Sequence, residues 1–188
     1  MSNHRIILVT GGARSGKSTF AEKYMMKLAP AGSCYYATAE PFDQEMKERI
    51  TRHQQDRAHS GFAWSGKECP LELPEQLQQE MSPYVLVDCL TVWLSNELLA
   101  VEQRPDRDQL LIDRMAQLEE AVRQYNSKGT VILVTNEVGS GVVPAYELGR
   151  SFRDHAGRLN QRIAAMADEV YLVTAGIPIE LKSRMVQL

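Results

Sequence analysis

Gly11–Ser18 reads GGARSGKS, and this stretch decides the fold. Gly11, Gly16, Lys17 and Ser18 meet the spacing G-x-x-x-x-G-K-[ST] of a phosphate-binding loop. The chemistry requires those residue types. Glycines let the backbone turn so that successive N–H groups point inward at phosphate oxygens. A helix opening near Lys17 adds the positive end of its dipole. The Lys17 ammonium reaches the terminal phosphates, and the Ser18 hydroxyl ligates the Mg2+ that accompanies them. The flanks agree. Arg5–Thr10 (RIILVT) is a short apolar run of the kind that forms a buried strand. Thr19–Leu28 reads as a helix until Ala29-Pro30-Ala31-Gly32 ends it. Strand, loop and helix in that order are the setting the motif needs, so the chain is expected to bind a nucleoside triphosphate.

Working outward, strands alternate with helices. Cys34–Ala39 (CYYATA), Phe62–Trp64, Tyr84–Val87 (YVLV), Thr130–Thr135 (TVILVT) and Glu169–Val173 (EVYLV) read as strands, the last a central one. The tail after Gly176-Ile177-Pro178 reads as an edge strand. Pro41–Arg57 (polar and helix-permissive), Glu75–Met81, Leu90–Leu99, Gln109–Tyr125 and Gly149–Met166 read as helical segments, with Pro70 and Pro74 bracketing a turn and Glu102–Asp108 a loop. Leu110, Leu111, Met115, Leu118 and Val122 share one side of the fourth of these helices. The pattern implies an α/β fold: a mostly parallel sheet with helices on both faces. No internal repeat, low-complexity tract or linker interrupts it, so residues 1–188 are expected to form a single P-loop nucleotide-binding domain.

Composition narrows the partners. At 188 residues, 44% hydrophobic and 24% charged, the chain can bury a sizeable core. A net charge of −3 lacks the basic footprint of a nucleic-acid binder. Cys34, Cys69 and Cys89 are odd in number and far apart, which argues against a disulfide framework or zinc site and fits a reducing compartment. No segment approaches the length of a membrane span. A cytoplasmic protein is expected.

Ligands of such sheets bind beyond the carboxyl ends of the strands. Asp88 ends YVLVD and is the candidate acidic group for Mg2+, directly or through water. Asn136 and Glu137 end TVILVT and are as compatible with ordinary strand ends as with the site. Arg49, His53 and Arg57 are spaced i, i+4, i+8, so a helix stacks them. Two guanidinium groups would favour a neutral, nucleophilic imidazole and could hold phosphate oxygens. On spacing alone, a solvated charged face is the simpler reading. Arg150, Arg153, Asp154, Gly157 and Asn160 lie on one side of the late helix, either as a grip for an anion or another subunit or as a solvated face. Gly139-Ser140-Gly141 before Pro144 has the composition of a mobile lid. His4, His59 and His155 are expected at the surface.

Assembled, these segments resemble the bifunctional adenosylcobinamide kinase / adenosylcobinamide-phosphate guanylyltransferase family of cobalamin biosynthesis, from Ile7 to about Lys182. The carriers are LVTGGARSGKS, YATA at Tyr36–Ala39, RITRH at Arg49–His53 and W-x-x-x-E at Trp64–Glu68. They continue with LVDCLTVWLSN at Leu86–Asn96, VTNEVGSGVVP at Val134–Pro144, FRDHAGRLNQ at Phe152–Gln161 and ADEVYLV at Ala167–Val173. The resemblance implies a RecA-like core and two reactions. One phosphorylates the aminopropanol hydroxyl of adenosylcobinamide, with ATP or GTP as donor. The other transfers GMP from GTP to the resulting phosphate, giving adenosylcobinamide-GDP and pyrophosphate. It implies that His53 carries GMP covalently. It also implies that GTP contacts fall on the glycine loop (Gly11, Gly12, Ala13, Arg14, Ser15, Gly16, Lys17 and Ser18), on Ala37, Thr38 and Ala39, on Gln54, Gln55, Asp56 and Arg57, and on Glu68 and Asp88. Arg49 joins them as a phosphate ligand on the row of His53. A homotrimer with the nucleotide near a subunit boundary follows from the same resemblance. Two positions depart from the family pattern: Gln54 stands where a basic residue is common, and Gly66 where threonine is common.

Two other functions fit a phosphate loop. A P-loop small-molecule kinase without guanylyl transfer would have no need of His53. A RecA-type ATPase acting on nucleic acid fits poorly with the acidic balance.

Overall fold

The computed structural model describes residues 4–40 and 44–186. β1 (Ile6–Thr10) is buried along its whole length, as expected of a strand covered on both faces. It lies between β5 (Thr130–Val134) and β6 (Glu169–Thr174) in a seven-stranded sheet. β4 (Tyr84–Asp88), β2 (Ser33–Ala37) and β3 (Trp64–Glu68) extend the sheet beyond β5, and β7 (Ile177–Glu180) closes the other edge. All pairings are parallel except β6–β7.

Alternate residues of the strands feed two cores. Ile6, Leu8, Val131 and Leu133 pack with α3 (Leu73–Gln79), α4 (Leu90–Ala100), α5 (Arg107–Asn126) and α6 (Glu147–Met166). Ile7, Val9, Ile132 and Val134 pack on the other face with Ala21 and Met25 of α1 (Lys17–Leu28). α2 (Gln44–His59) differs from the rest: it is polar along its length, and none of its described side chains belongs to either core. It stands over the sheet's carboxyl edge as a wall. Residues 41–43, where the sequence starts this helix, lie outside the described residues.

Several sequence expectations shift. β3 begins at Trp64, not Phe62, because the pairing with β2 starts where Ser33 N–H donates to Ala63 O (3.1 Å). Pro74 sits inside the first turn of α3, where a missing N–H costs no helix bond. β6 is next to the edge of the sheet, with only β7 outside it. His155 is buried, 4% exposed, because α6 packs it toward α5, with its Nε2 3.7 Å from Asp108. Burial disfavours its charged form, against the pull of Asp108. Among the described residues no helix is long and apolar enough to cross a membrane.

Candidate active site

The loop after β1 is shaped by close approach. A Cβ on Gly11 would stand 2.4 Å from Val173 O, so only glycine lets the chain pass β6. Gly16, with φ of 92°, caps α1 in the left-handed region, and its carbonyl accepts from Phe20 N–H. The β6–β7 turn braces the loop from outside, Gly176 N–H donating to Ser15 O at 2.8 Å. Lys17 is 7% exposed, and its ammonium donates to Gly12 O at 3.0 Å. The charge is therefore already folded back over the loop it would serve.

Beside the loop lies a cavity of about 690 Å3. Ala13, Lys17 and Ser18 form one end. Ala37, Ala39, Asp88, Asn136 and Glu137 come from strand ends, and Glu68 from the last residue of β3. His53, Gln54 and Arg57 come from α2. The structure thus brings together ten residues that the sequence assigns to nucleotide or metal, with Asn136 and Glu137 beside them. Gly11, Gly12, Arg14, Ser15 and Gly16 make the loop itself. Thr38 is fully buried; its hydroxyl bridges Cys89 N–H and Cys89 O at 2.8 Å each. Gln55 and Asp56 are exposed on α2. The side chain of Arg49 lies outside the described residues.

A smaller cavity of about 320 Å3 adjoins the first and shares Tyr35, Ala37, Gln54, Arg57 and Glu68 with it. Phe62 and Trp64 line its far side. Gly66 opens its floor, since a Cβ there would meet nothing within 4 Å.

One residue at the centre carries no motif. Tyr35 is 4% exposed and donates its hydroxyl to Asp88 Oδ2 at 2.9 Å. The Arg57 guanidinium lies over its ring, 3.7 Å from the centroid, and pairs with Glu22 at 3.5 Å. Burial and the neighbouring Asp88 charge push the Tyr35 hydroxyl well above its ordinary range, so it stays a donor. Glu22 is also raised, by burial first and by Asp88, against the opposing charge of Arg57. A chain of contacts therefore joins α1, α2 and Asp88. It also redirects Arg57: that guanidinium is engaged with Tyr35 and Glu22. Cys89 follows Asp88 into the wall, and burial pushes its thiol up to about 12, which leaves it unreactive. Lys47, Ile50, Thr51, Thr91, Val92 and Val138 complete the lining. The spacing of 47, 50, 51 and 54 is an ordinary helix face, and only the cavity gives it meaning.

Asn136 and Glu137 are held firmly. Thr135 N–H donates to Val9 O (2.9 Å), Asn136 N–H to Thr91 Oγ1 (2.7 Å) and Glu137 N–H to Gly11 O (3.1 Å). Asn160 of α6 locks the same stretch, donating to Asn136 O and accepting from the Thr135 hydroxyl.

Comparison with known proteins gives a consistent result. The flagellar accessory protein FlaH from Methanocaldococcus jannaschii superposes with a TM-score of 0.51 over 95% of this chain and 78% of its own, at 14% identity, a likeness of fold. The bifunctional adenosylcobalamin biosynthesis protein CobU of Salmonella typhimurium is 42% identical over 188 residues, 94% of this chain and 99% of its own. The corresponding CobP of Pseudomonas aeruginosa is 42% identical over 179 residues, 93% and 96% of the two chains. The family model for cobinamide kinase / cobinamide phosphate guanyltransferase matches residues 7–181. With a phosphate loop, a strand-end carboxylate and a helix-borne histidine around one cavity, the chain belongs to the cobinamide kinase / cobinamide phosphate guanyltransferase family.

Proposed function

We propose that this chain phosphorylates the aminopropanol hydroxyl of adenosylcobinamide, using ATP or GTP, and then transfers GMP from GTP to the product through His53. The observation that carries the reading is the single cavity onto which Lys17, Ser18, Asp88 and His53 all open. Kinase chemistry needs the first three. Only guanylyl transfer through the enzyme needs the fourth.

The Ser18 hydroxyl and the Asp88 carboxylate are hard oxygen donors on that cavity and suit Mg2+, which takes one or two protein groups and fills the rest with phosphate oxygens and water. Tyr35 fixes one oxygen of Asp88, so the carboxylate is already oriented. Bound there, Mg2+ would neutralise charge gathering on the phosphates. Lys17 places a further positive charge at the reacting end. In the transfer, an imidazole nitrogen of His53 attacks the α-phosphorus and the bond to pyrophosphate breaks. The corrinoid phosphate oxygen then attacks the same phosphorus, the P–N bond breaks, and His53 is regenerated.

The three cysteines are free and buried, which suits a reducing cytoplasm. Edge strand β7 leaves Ile177 63% exposed, with Ile179 and Leu181 beside it, and this apolar edge supports assembly into the homotrimer that the resemblance implies.

GTP labelled at the α-phosphate tests the reading. The expected product is a base-stable, acid-labile GMP adduct on the His53 peptide. His53→Ala is expected to lose both adduct and transfer. An adduct on His4, His59 or His155, or transfer continuing without an adduct, overturns it.

A further inference from the structure

Phosphorylating a neutral hydroxyl requires a group that takes its proton as the new O–P bond forms. Four side chains on the cavity could do so: His53, Glu68, Asp88 and Glu137. His53 is the nucleophile of the other reaction. Asp88 already accepts from Tyr35 and is placed for Mg2+ with Ser18. Glu68 ends β3, which the strand order sets four strands from β1. At the usual spacing between strands that is roughly 19 Å from the phosphate loop.

Glu137 differs on each count. Its strand, β5, is the immediate neighbour of β1, and its own N–H is bonded to Gly11 O. Gly12, the next residue of the loop, holds the Lys17 ammonium on its carbonyl. The Glu137 backbone is therefore one hydrogen bond from the glycine turn over which the terminal phosphate end is gripped. Its carboxylate is only loosely engaged, with the Thr10 hydroxyl 3.5 Å from Oε2, and the residue is exposed on the cavity. The backbone beneath it is fixed by three successive N–H bonds and by Asn160, although the chain runs on at once into Gly139-Ser140-Gly141. A rigid backbone carrying an open carboxylate is what a positioned proton acceptor needs.

We infer that Glu137 is the general base of the kinase reaction and takes no part in guanylyl transfer; this rests on the kinase reading above. The hydroxyl oxygen of the aminopropanol arm attacks the γ-phosphorus of the bound nucleotide. The bond between the γ-phosphorus and the β–γ bridging oxygen breaks, and the nucleoside diphosphate leaves. The hydroxyl proton passes to the Glu137 carboxylate and from there to solvent.

The test uses Glu137→Gln in the full chain, which keeps the shape and the backbone N–H and removes only the proton acceptor. Phosphorylation of adenosylcobinamide is expected to fall on the order of a hundredfold or more. Labelling of the protein by α-labelled GTP, and transfer to adenosylcobinamide phosphate supplied ready-made, are expected to stay within about threefold of the parent. Glu137→Asp should recover part of the kinase rate. Kinase activity close to the parent in Glu137→Gln overturns the assignment. So does parallel loss of all three readouts in a variant with unchanged melting temperature, since the residue then supports the loop as a whole. A parent enzyme that does not phosphorylate adenosylcobinamide overturns the kinase reading and this assignment with it.

Discussion

Glu80, Asp168 and Glu169 stand before strands of the sheet or at their first residue, whereas Glu68, Asp88 and Glu137 stand at strand ends or just after them. The first set is tied into the sheet by its neighbours. Glu80 accepts from the Tyr36 hydroxyl, from Lys67 (2.6 Å) and from the N–H groups of Met81 and Ser82. Asp168 takes Ile6 N–H at 2.7 Å. Glu169 takes Arg5 and the hydroxyls of Tyr24 and Tyr171. In the second set, among the described residues, Asp88 has one hydroxyl donor and Glu137 a long contact to Thr10. The difference teaches where this molecule spends its hydrogen bonds. Carboxylates at the amino edge bond to neighbouring backbone N–H groups and side chains and hold the sheet. Those at the carboxyl edge keep capacity for a ligand and are steadied by a single partner or by their backbone.

The sharpest way to break this division is at the shared phosphate grip. Lys17→Ala is expected to reduce both kinase and transferase rates by about a hundredfold or more, because a charge that meets the reacting phosphates is lost. The check is steady-state assay of each reaction on a variant whose circular dichroism matches the parent. Near-normal rates in the folded variant would detach the loop from the chemistry.

A smaller effect separates positioning from chemistry. Tyr35→Phe keeps the ring beneath Arg57 and removes the hydroxyl that donates to Asp88. A hydrogen bond to a charged group is worth about 1.5–3 kcal/mol, so the Mg2+ concentration needed for half-maximal rate should rise about ten- to hundredfold. Titrating Mg2+ at fixed GTP reads this directly. An unchanged Mg2+ requirement would mean that Asp88 is oriented by the backbone alone.

What the sequence made legible follows from range. The phosphate loop is a local pattern, and its strand–loop–helix context lies within about two dozen residues. Asp88 was readable for the same reason, as the end of an apolar run. Tyr35 was not. Its value depends on β2 pairing with β4, which joins residues 53 positions apart, and tyrosine in a strand reads as core. His155 was misplaced because its burial comes from α5 packing on α6. Of α2, the spacing gave the row Arg49–His53–Arg57 but not which neighbours face the cavity. A polar helix carries no apolar stripe to orient it.

The last comparison is within the closed set, and its expected effect on turnover is nil. Glu80 is 7% exposed. Burial alone would raise its carboxyl, but Lys67, Tyr36 and the Ser82 N–H hold it at about 2 instead of 4.5. A depressed carboxyl contributes stability that is fully present above the unfolded value of 4.5 and is lost as pH falls toward 2. The amount is at most about 3 kcal/mol at neutral pH. Glu80→Gln keeps much of the shape and removes the charge, so it should unfold roughly 6–12 °C lower near pH 7. Urea unfolding of both proteins from pH 7 to pH 3 tests the origin of the loss. The gap between them should be constant from pH 7 to about 5.5 and then narrow as Glu80 of the parent's unfolded chain takes up a proton that the folded carboxylate refuses. Kinase and transferase rates per folded molecule should match the parent throughout, since Glu80 touches neither cavity. A gap that ignores pH would make the loss one of packing. A fall in turnover at full folding would carry the amino-edge network into the site and erase the division between the two edges.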